Sequence, residues 1–250
     1  MLGPLERARA NSFRVIADGD DFVASRVMLR IAATLLTGEP IHGHVIHQDR
    51  CSCGRYHCAP TFVNLPGLHT SLSHTAQASA AVVSWEPAGI DIENVDKGTI
   101  TGGLAERFLS PRELAYMNKR HGDLSRAAAQ RELLSKWTTK EALVKIGVVT
   151  LDGLRSIDLP NRFPAVRDTG CAAPYKLLGY HVRSFDDRLD GIVGSIITSH
   201  LTATISVKLD QGRAQITAPP AQGDKTSFMP VTVPLIGSRV MQLALANCNG

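Results

Sequence analysis

The chain has 250 residues, 44% of them hydrophobic and 5% aromatic, and a formal charge of +4. That is apolar material for one large or two small cored domains built on Leu, Ile, Val and Ala. The basic excess is too mild to argue for nucleic acid, and a small polyanionic ligand or an acidic partner protein fits it equally well. No run of about 18 apolar residues occurs, so no membrane span is expected. The opening MLGPLERARANSFRVIADGDD lacks the apolar core of a secretory signal, so a cytoplasmic protein is expected.

Asp21 to Leu36 has helical periodicity and ends at Gly38 and Pro40. A loop rich in Cys, His and Pro follows, to about Gly67. It holds Cys51, Cys53 and Cys58 in CSCGRYHC, three of five cysteines. The spacing is a poor match to zinc ligation, which uses four ligands as spaced pairs, so reduced loop thiols are expected. HTSLSH, ASAAVVSW and GIDIE read as successive strands, with Pro87 at a turn. Thr99 to Gly122 is helical, with a restart at Ser110, where Ser, Pro111 and Glu113 fit the N-cap, N1 and N3 positions. Ser125 to Ile146 is the strongest helix, with Gly147 as its C-terminal cap. GYHVRSFD, DGIVGSIITS and LTATISVKL then read as strands, and the tail from about Gln211 mixes Pro and Gly with apolar residues.

A helix followed by a β-meander thus occurs twice, at about 20–96 and 100–209. The pattern predicts an α+β fold with an N-terminal half over 1–98, a similar C-terminal half over 99–210, and a tail over 211–250 of uncertain structure.

Three stretches carry chemistry. In GIDIENVD, period-two alternation sends Asp91 and Glu93 to one face of a strand, where like charges repel unless a cation lies between them. In KWTTKEALVK, Trp137, Glu141 and Lys145 are four apart and share one helix face, with Lys140 beside them. Each alone has an ordinary reading: an exposed polar strand face, and an apolar anchor with a surface ion pair. Together, three carboxylates make a hard oxygen site that suits magnesium, with lysines for phosphate. Ser73 and His74 in SLSHT could meet a further phosphate.

GIDIE, FLSPRE and KWTTKEALVK, preceded by LSHT, resemble the 4′-phosphopantetheinyl transferases, in particular the long single-chain type serving carrier domains of nonribosomal peptide, siderophore and polyketide synthases. The resemblance covers about residues 20 to 205. It implies a pseudo-dimer of two helix-plus-antiparallel-sheet halves, and a monomer. It implies transfer of the 4′-phosphopantetheine arm of coenzyme A to a serine of an apo acyl- or peptidyl-carrier protein, releasing 3′,5′-ADP. Asp91, Glu93 and Glu141 would hold Mg2+. Lys140 and Lys145 would neutralise phosphate, Ser73 and His74 would meet the 3′-phosphate, and Arg55 would lie in the basic stretch before them. Glu141, Lys145 and Glu113 would be the catalytic residues, Glu113 as a candidate base. The family commonly has Gly-Lys-Pro where Cys58, Ala59 and Pro60 stand, so a relative that binds coenzyme A or carrier without efficient turnover is the alternative expectation. Arg107 and Arg112, with Phe108, Leu109 and Leu114, are the expected carrier-docking residues.

Overall fold

A computed structural model describes residues 2–50, 54, 56, 58–75, 78–96, 100, 102–120, 124–161, 174–187, 191–199, 202–210, 213–217 and 240–246. The chain forms two units, one of residues 1–88 with 200–250 and one of residues 89–199. These boundaries differ from the expected 1–98, 99–210 and 211–250.

In the first unit, Gly3 and Pro4 open α1 (Pro4–Ala10), and the Gly3 N–H donates to Glu6 Oε2 at 2.8 Å. Sequence reasoning passed over this helix because seven residues without an apolar stripe give no period. The main helix, α2 (Ile16–Thr37), begins five residues before the expected start and ends on Gly38, whose φ of 76° is the left-handed C-terminal cap. The early start passes through Gly19, where a Cβ would lie 3.0 Å from the Ala10 carbonyl oxygen. Glycine therefore lets α1 lie against α2.

The buried face of α2 packs on a five-stranded sheet. The strands are β3 (His69–His74), β4 (Ala78–Ser84), β9 (Thr202–Asp210), β10 (Arg213–Thr217) and β11 (Val240–Ala246), in the order β10-β9-β11-β4-β3. Every residue of β4 is buried, as its run of small and β-branched residues demands. Ala81 and Val83 join Met28, Leu29 and Ala32 in one core. Neighbouring strands are antiparallel except β11 and β4, which run parallel with Val240 opposite Ala78. The expected tail thus contributes two strands. A separate two-stranded ladder joins β1 (Ile46–His47) to β2 (Thr61–Phe62).

The second unit has a four-stranded sheet in the order β5-β8-β7-β6, from β5 (Ala88–Asn94), β6 (Tyr175–Leu177), β7 (Tyr180–Asp187) and β8 (Ile192–Thr198). GIDIE therefore leaves the strands that precede it and pairs with β8, while LTATISVKL, as β9, leaves β8 and joins the first sheet. The first meander is therefore one strand shorter than the sequence suggested, and the second has β6 in place of LTATISVKL. Helices α3 (Gly102–Phe108), α4 (Pro111–Arg120) and α5 (Arg126–Lys145) complete the unit. Ser125 Oγ accepts from Ala128 N–H to cap α5. At its other end Gly147 donates to the Val144 carbonyl and Val148 to that of Leu143, a Schellman closure. Leu143 and Ala142 of α5 pack on Val182 of β7 and Ile197 of β8. Thr138 and Thr139 of α5 both bond the Ser195 hydroxyl of β8, at 3.1 and 2.8 Å. None of the described helices is long and apolar enough to cross a membrane.

Candidate active site

Ile90 and Ile92 of β5 are 0% and 3% exposed, and their alternation sends Asp91 and Glu93 to the other face, where the Trp137, Glu141 and Lys145 face of α5 meets them. Lys145 Nζ donates to Asp91 Oδ1 at 2.8 Å and to the Ile90 carbonyl at 2.8 Å. Trp137 Nε1 donates to Glu93 Oε1 at 3.1 Å, while the indole packs edge-on to Phe108 at 5.1 Å. The two chemical stretches thus come together within one unit, strand against helix.

Two glycines permit this approach. A Cβ on Gly89 would lie 2.4 Å from the Ala142 carbonyl oxygen of α5, and one on Gly194 would lie 2.3 Å from Phe185 Cζ and 2.8 Å from the Asp91 carbonyl oxygen. Gly89→Ala is expected to destabilise by about 1–3 kcal/mol through overpacking, read as a lower Tm. It should also reduce turnover, because α5 must shift and carries Glu141 and Lys145 with it.

The electrostatics are those of crowded acids. Burial pushes the Glu93 carboxyl above its ordinary range, and the neighbouring charge of Asp91 pushes it further, against the Trp137 hydrogen bond and Lys145. Burial and then Asp91 raise Glu141 in the same way, with Lys145 opposing. Asp91, Glu93 and Glu141 are the residues that could hold a hard divalent cation. Among the described residues no three His, Cys, Asp or Glu side chains are gathered closely enough to grip a metal ion. Lys145 and Trp137 each take an oxygen of the strand acids. The donor set still fits magnesium chemically, since its three oxygen anions repel one another and only partly find cationic relief.

Two expected site residues lie elsewhere. Lys140 is 0% exposed. Its ammonium donates to Glu113 Oε2 at 2.6 Å and to the carbonyls of Phe108, Leu154 and Ile157 at 2.8, 3.0 and 2.8 Å. This lysine is a buried tether, not a phosphate ligand. Glu113 is also 0% exposed. It completes the expected capping box: Ser110 N–H donates to Oε2 at 2.8 Å and Ser110 Oγ accepts from Glu113 N–H at 3.1 Å. Its Oε1 accepts from Leu159 N–H at 3.2 Å and lies 3.6 Å from Lys136 Nζ. With both oxygens occupied and no solvent access, it is not set to act as a base. Burial lowers the lysines' proton affinity while Glu113 restores part of it.

Sequence reasoning missed Lys136, a second buried ammonium four residues before Lys140 that also donates to the Pro160 carbonyl at 3.1 Å. It missed Asp158, which accepts from Ser110 Oγ. A pair of lysines at i and i+4 with a cap glutamate upstream was the only available signal. Phe108 and Leu109, expected at a docking surface, are each 1% exposed and sit in a core cluster with Leu154. Arg107 and Arg112 are exposed.

In the first unit, Ser73 and His74 are the last two residues of β3, Ser73 buried and His74 exposed. Arg55 and three more members of its loop, Cys51, Cys53 and His57, lie outside the described residues.

The family model of the 4′-phosphopantetheinyl transferase superfamily matches residues 87–188. The chain is similar to a 4′-phosphopantetheinyl transferase of Bacillus subtilis, 33% identical over 34% of this chain and 36% of that protein. It is also similar to the 4′-phosphopantetheinyl transferase psf-1 of Bacillus pumilus, 27% identical over 56% of this chain and 55% of that protein. The matches thus span between 36% and 55% of the curated relatives' length.

Proposed function

From the match of residues 87–188 to the family model of the 4′-phosphopantetheinyl transferase superfamily, we propose that this protein transfers the 4′-phosphopantetheine arm of coenzyme A to a serine of an apo acyl- or peptidyl-carrier protein in the cytoplasm. The observation that carries the reading is the meeting of Asp91, Glu93 and Glu141 with Lys145 across β5 and α5. The two units, each a long helix on a mainly antiparallel sheet, are proposed as copies of one α+β plan, and the protein as a monomer.

The carrier serine oxygen forms a bond to the β-phosphorus of coenzyme A. The bond from that phosphorus to the bridging oxygen breaks, and 3′,5′-ADP leaves with that oxygen. Magnesium, bound by Asp91, Glu93 and Glu141, would supply charge neutralisation at the pyrophosphate. Lys145, with 27% of its side chain exposed, lies beside those acids and contributes a movable positive charge to the phosphates. Glu141, whose proton affinity is raised by burial, is the carboxylate proposed to guide the serine proton away. Ser73, His74 and Arg55 are proposed as ligands of the 3′-phosphate on the resemblance alone.

Incubation with coenzyme A, magnesium and an apo carrier domain, followed by weighing of the carrier, tests the reading. A mass gain of one phosphopantetheine that requires magnesium is the expected outcome. Binding of coenzyme A without any mass gain would select the alternative of a relative lacking turnover.

A further inference from the structure

The hairpin of β6 and β7 closes on Leu178 and Gly179, between the paired residues Leu177 and Tyr180. Both turn residues have positive φ, 51° and 87°. This is the two-residue turn whose twist suits a hairpin, and asparagine, aspartate or glycine normally fills its first position. Leucine is out of place there, because on a left-handed backbone its Cβ crowds the following carbonyl oxygen. Among the described residues Leu178 is the only non-glycine with positive φ. Packing within the chain does not recover that cost, since Leu178 is 54% exposed.

Alternation continues on either side of the turn. Tyr175, Leu177, Tyr180 and Val182 pack toward α5, in the cluster of Ala142 and Leu143, the two residues after Glu141. The hairpin therefore sits against the end of α5 that carries Glu141 and Lys145. Its other face carries Lys176 directly opposite His181, with Arg183 two residues further along β7. Lys176 is exposed, and His181 and Arg183 are partly so. β6 is an edge strand of its sheet. The tip of the hairpin is thus an exposed apolar side chain beside a basic strand edge. A two-fold contact between copies of this edge would set Lys176 near its own counterpart, like charge against like, so the complementary surface is an acidic one.

We propose that Leu178 is a docking anchor: its side chain enters an apolar pocket on an acidic protein partner, and Lys176 faces that partner's carboxylates. An apolar centre with a charged rim is the ordinary build of a protein interface. Strained backbone gathers at binding sites, where the strain serves function rather than folding. An exposed leucine that costs folding stability and repays none of it within the chain has its use outside the chain. The partner held beside Glu141 and Lys145 is the carrier domain, an identification that rests on the transferase reading.

Calorimetric titration of the full chain with apo acyl- and peptidyl-carrier domains, and separately with coenzyme A, tests it, beside thermal unfolding of the same variants. Leu178→Asn is expected to raise the Tm by roughly 3 °C, because asparagine fits the turn. The same variant should bind carrier about tenfold more weakly, with its affinity for coenzyme A unchanged. Leu178→Met keeps an apolar side chain and should keep both the Tm and most of the carrier affinity. Lys176→Glu should weaken carrier binding strongly at low salt and less at high salt. Leu178-dependent carrier binding without any phosphopantetheine mass gain keeps the anchor and rejects the transfer reaction. Unchanged carrier affinity in Leu178→Asn overturns the anchor, and the transfer reaction still stands if the carrier gains mass. A Tm that falls in Leu178→Asn also overturns it, because the leucine then packs for the fold. So does an unaltered protein that binds no carrier domain, or a dimer that Leu178→Asn dissociates while carrier affinity is unchanged.

Discussion

Glu141→Gln is expected to lower kcat for carrier modification by about two orders of magnitude or more, since a positioned charge at a phosphoryl site contributes several kcal/mol, while Tm in metal-free buffer stays level or rises. The two readouts diverge for one physical reason. Glu141 is half-buried beside Asp91, and its proton affinity in the folded protein is raised above the ordinary value of 4.5. A carboxyl whose folded pKa is raised favours folding below its unfolded pKa, and that contribution is lost as pH rises through the folded pKa. At neutral pH its ionised form therefore opposes folding, and glutamine removes the opposition along with the function. Magnesium should raise the Tm of the unaltered protein at pH 7 and do less as pH falls toward 4.5, where protons compete for the same oxygens. Full activity in Glu141→Gln at ordinary magnesium would remove this residue from the site.

Glu113→Gln should show the converse. Two fully buried ammonium groups, Lys136 and Lys140, share this carboxylate. Breaking a buried pair from one side costs about 3–5 kcal/mol because the remaining charge is stranded, a Tm drop of roughly 10 °C or more. The folded fraction should keep most of its kcat and the pH profile of the unaltered protein. Replacing Glu113, Lys136 and Lys140 together by apolar residues of similar volume should recover much of the stability, because no buried charge is then left stranded. A normal Tm with lost kcat and a shifted pH profile would instead return Glu113 to the role of base.

The contrast between Glu113 and Glu141 marks the limit of what residue spacing conveys. The strand-helix pairing of Asp91 and Glu93 with Trp137, Glu141 and Lys145 was legible, because each set is fixed by a local period, two on the strand and four on the helix. The capping box at Ser110 and the Gly147 stop were legible for the same reason. Lys140 was not. One helix step from Glu141, it points into the core, and only the tertiary positions of the Phe108, Leu154 and Ile157 carbonyls reveal that four acceptors wait there. The strand assignments failed in a related way. GIDIE and LTATISVKL are strands, as read, but alternation says which face is buried and nothing about which sheet a strand joins.

The order in which the two units close also shapes how this chain comes to be made. Residues 89–199 are continuous, so that unit has all of its strands as soon as it leaves the ribosome. The other unit has its helix and β3-β4 hairpin early but lacks β11, which pairs with β4 along Ala78–Val83, until residue 246 is synthesised. At about 5–20 residues per second the wait is on the order of ten seconds. Through that interval the alanine- and valine-rich β4 presents an unpaired edge, a template for strands of other nascent chains. The segment translated first is thus the last to be completed, and it is the part of the molecule for which chaperone cover during synthesis matters most.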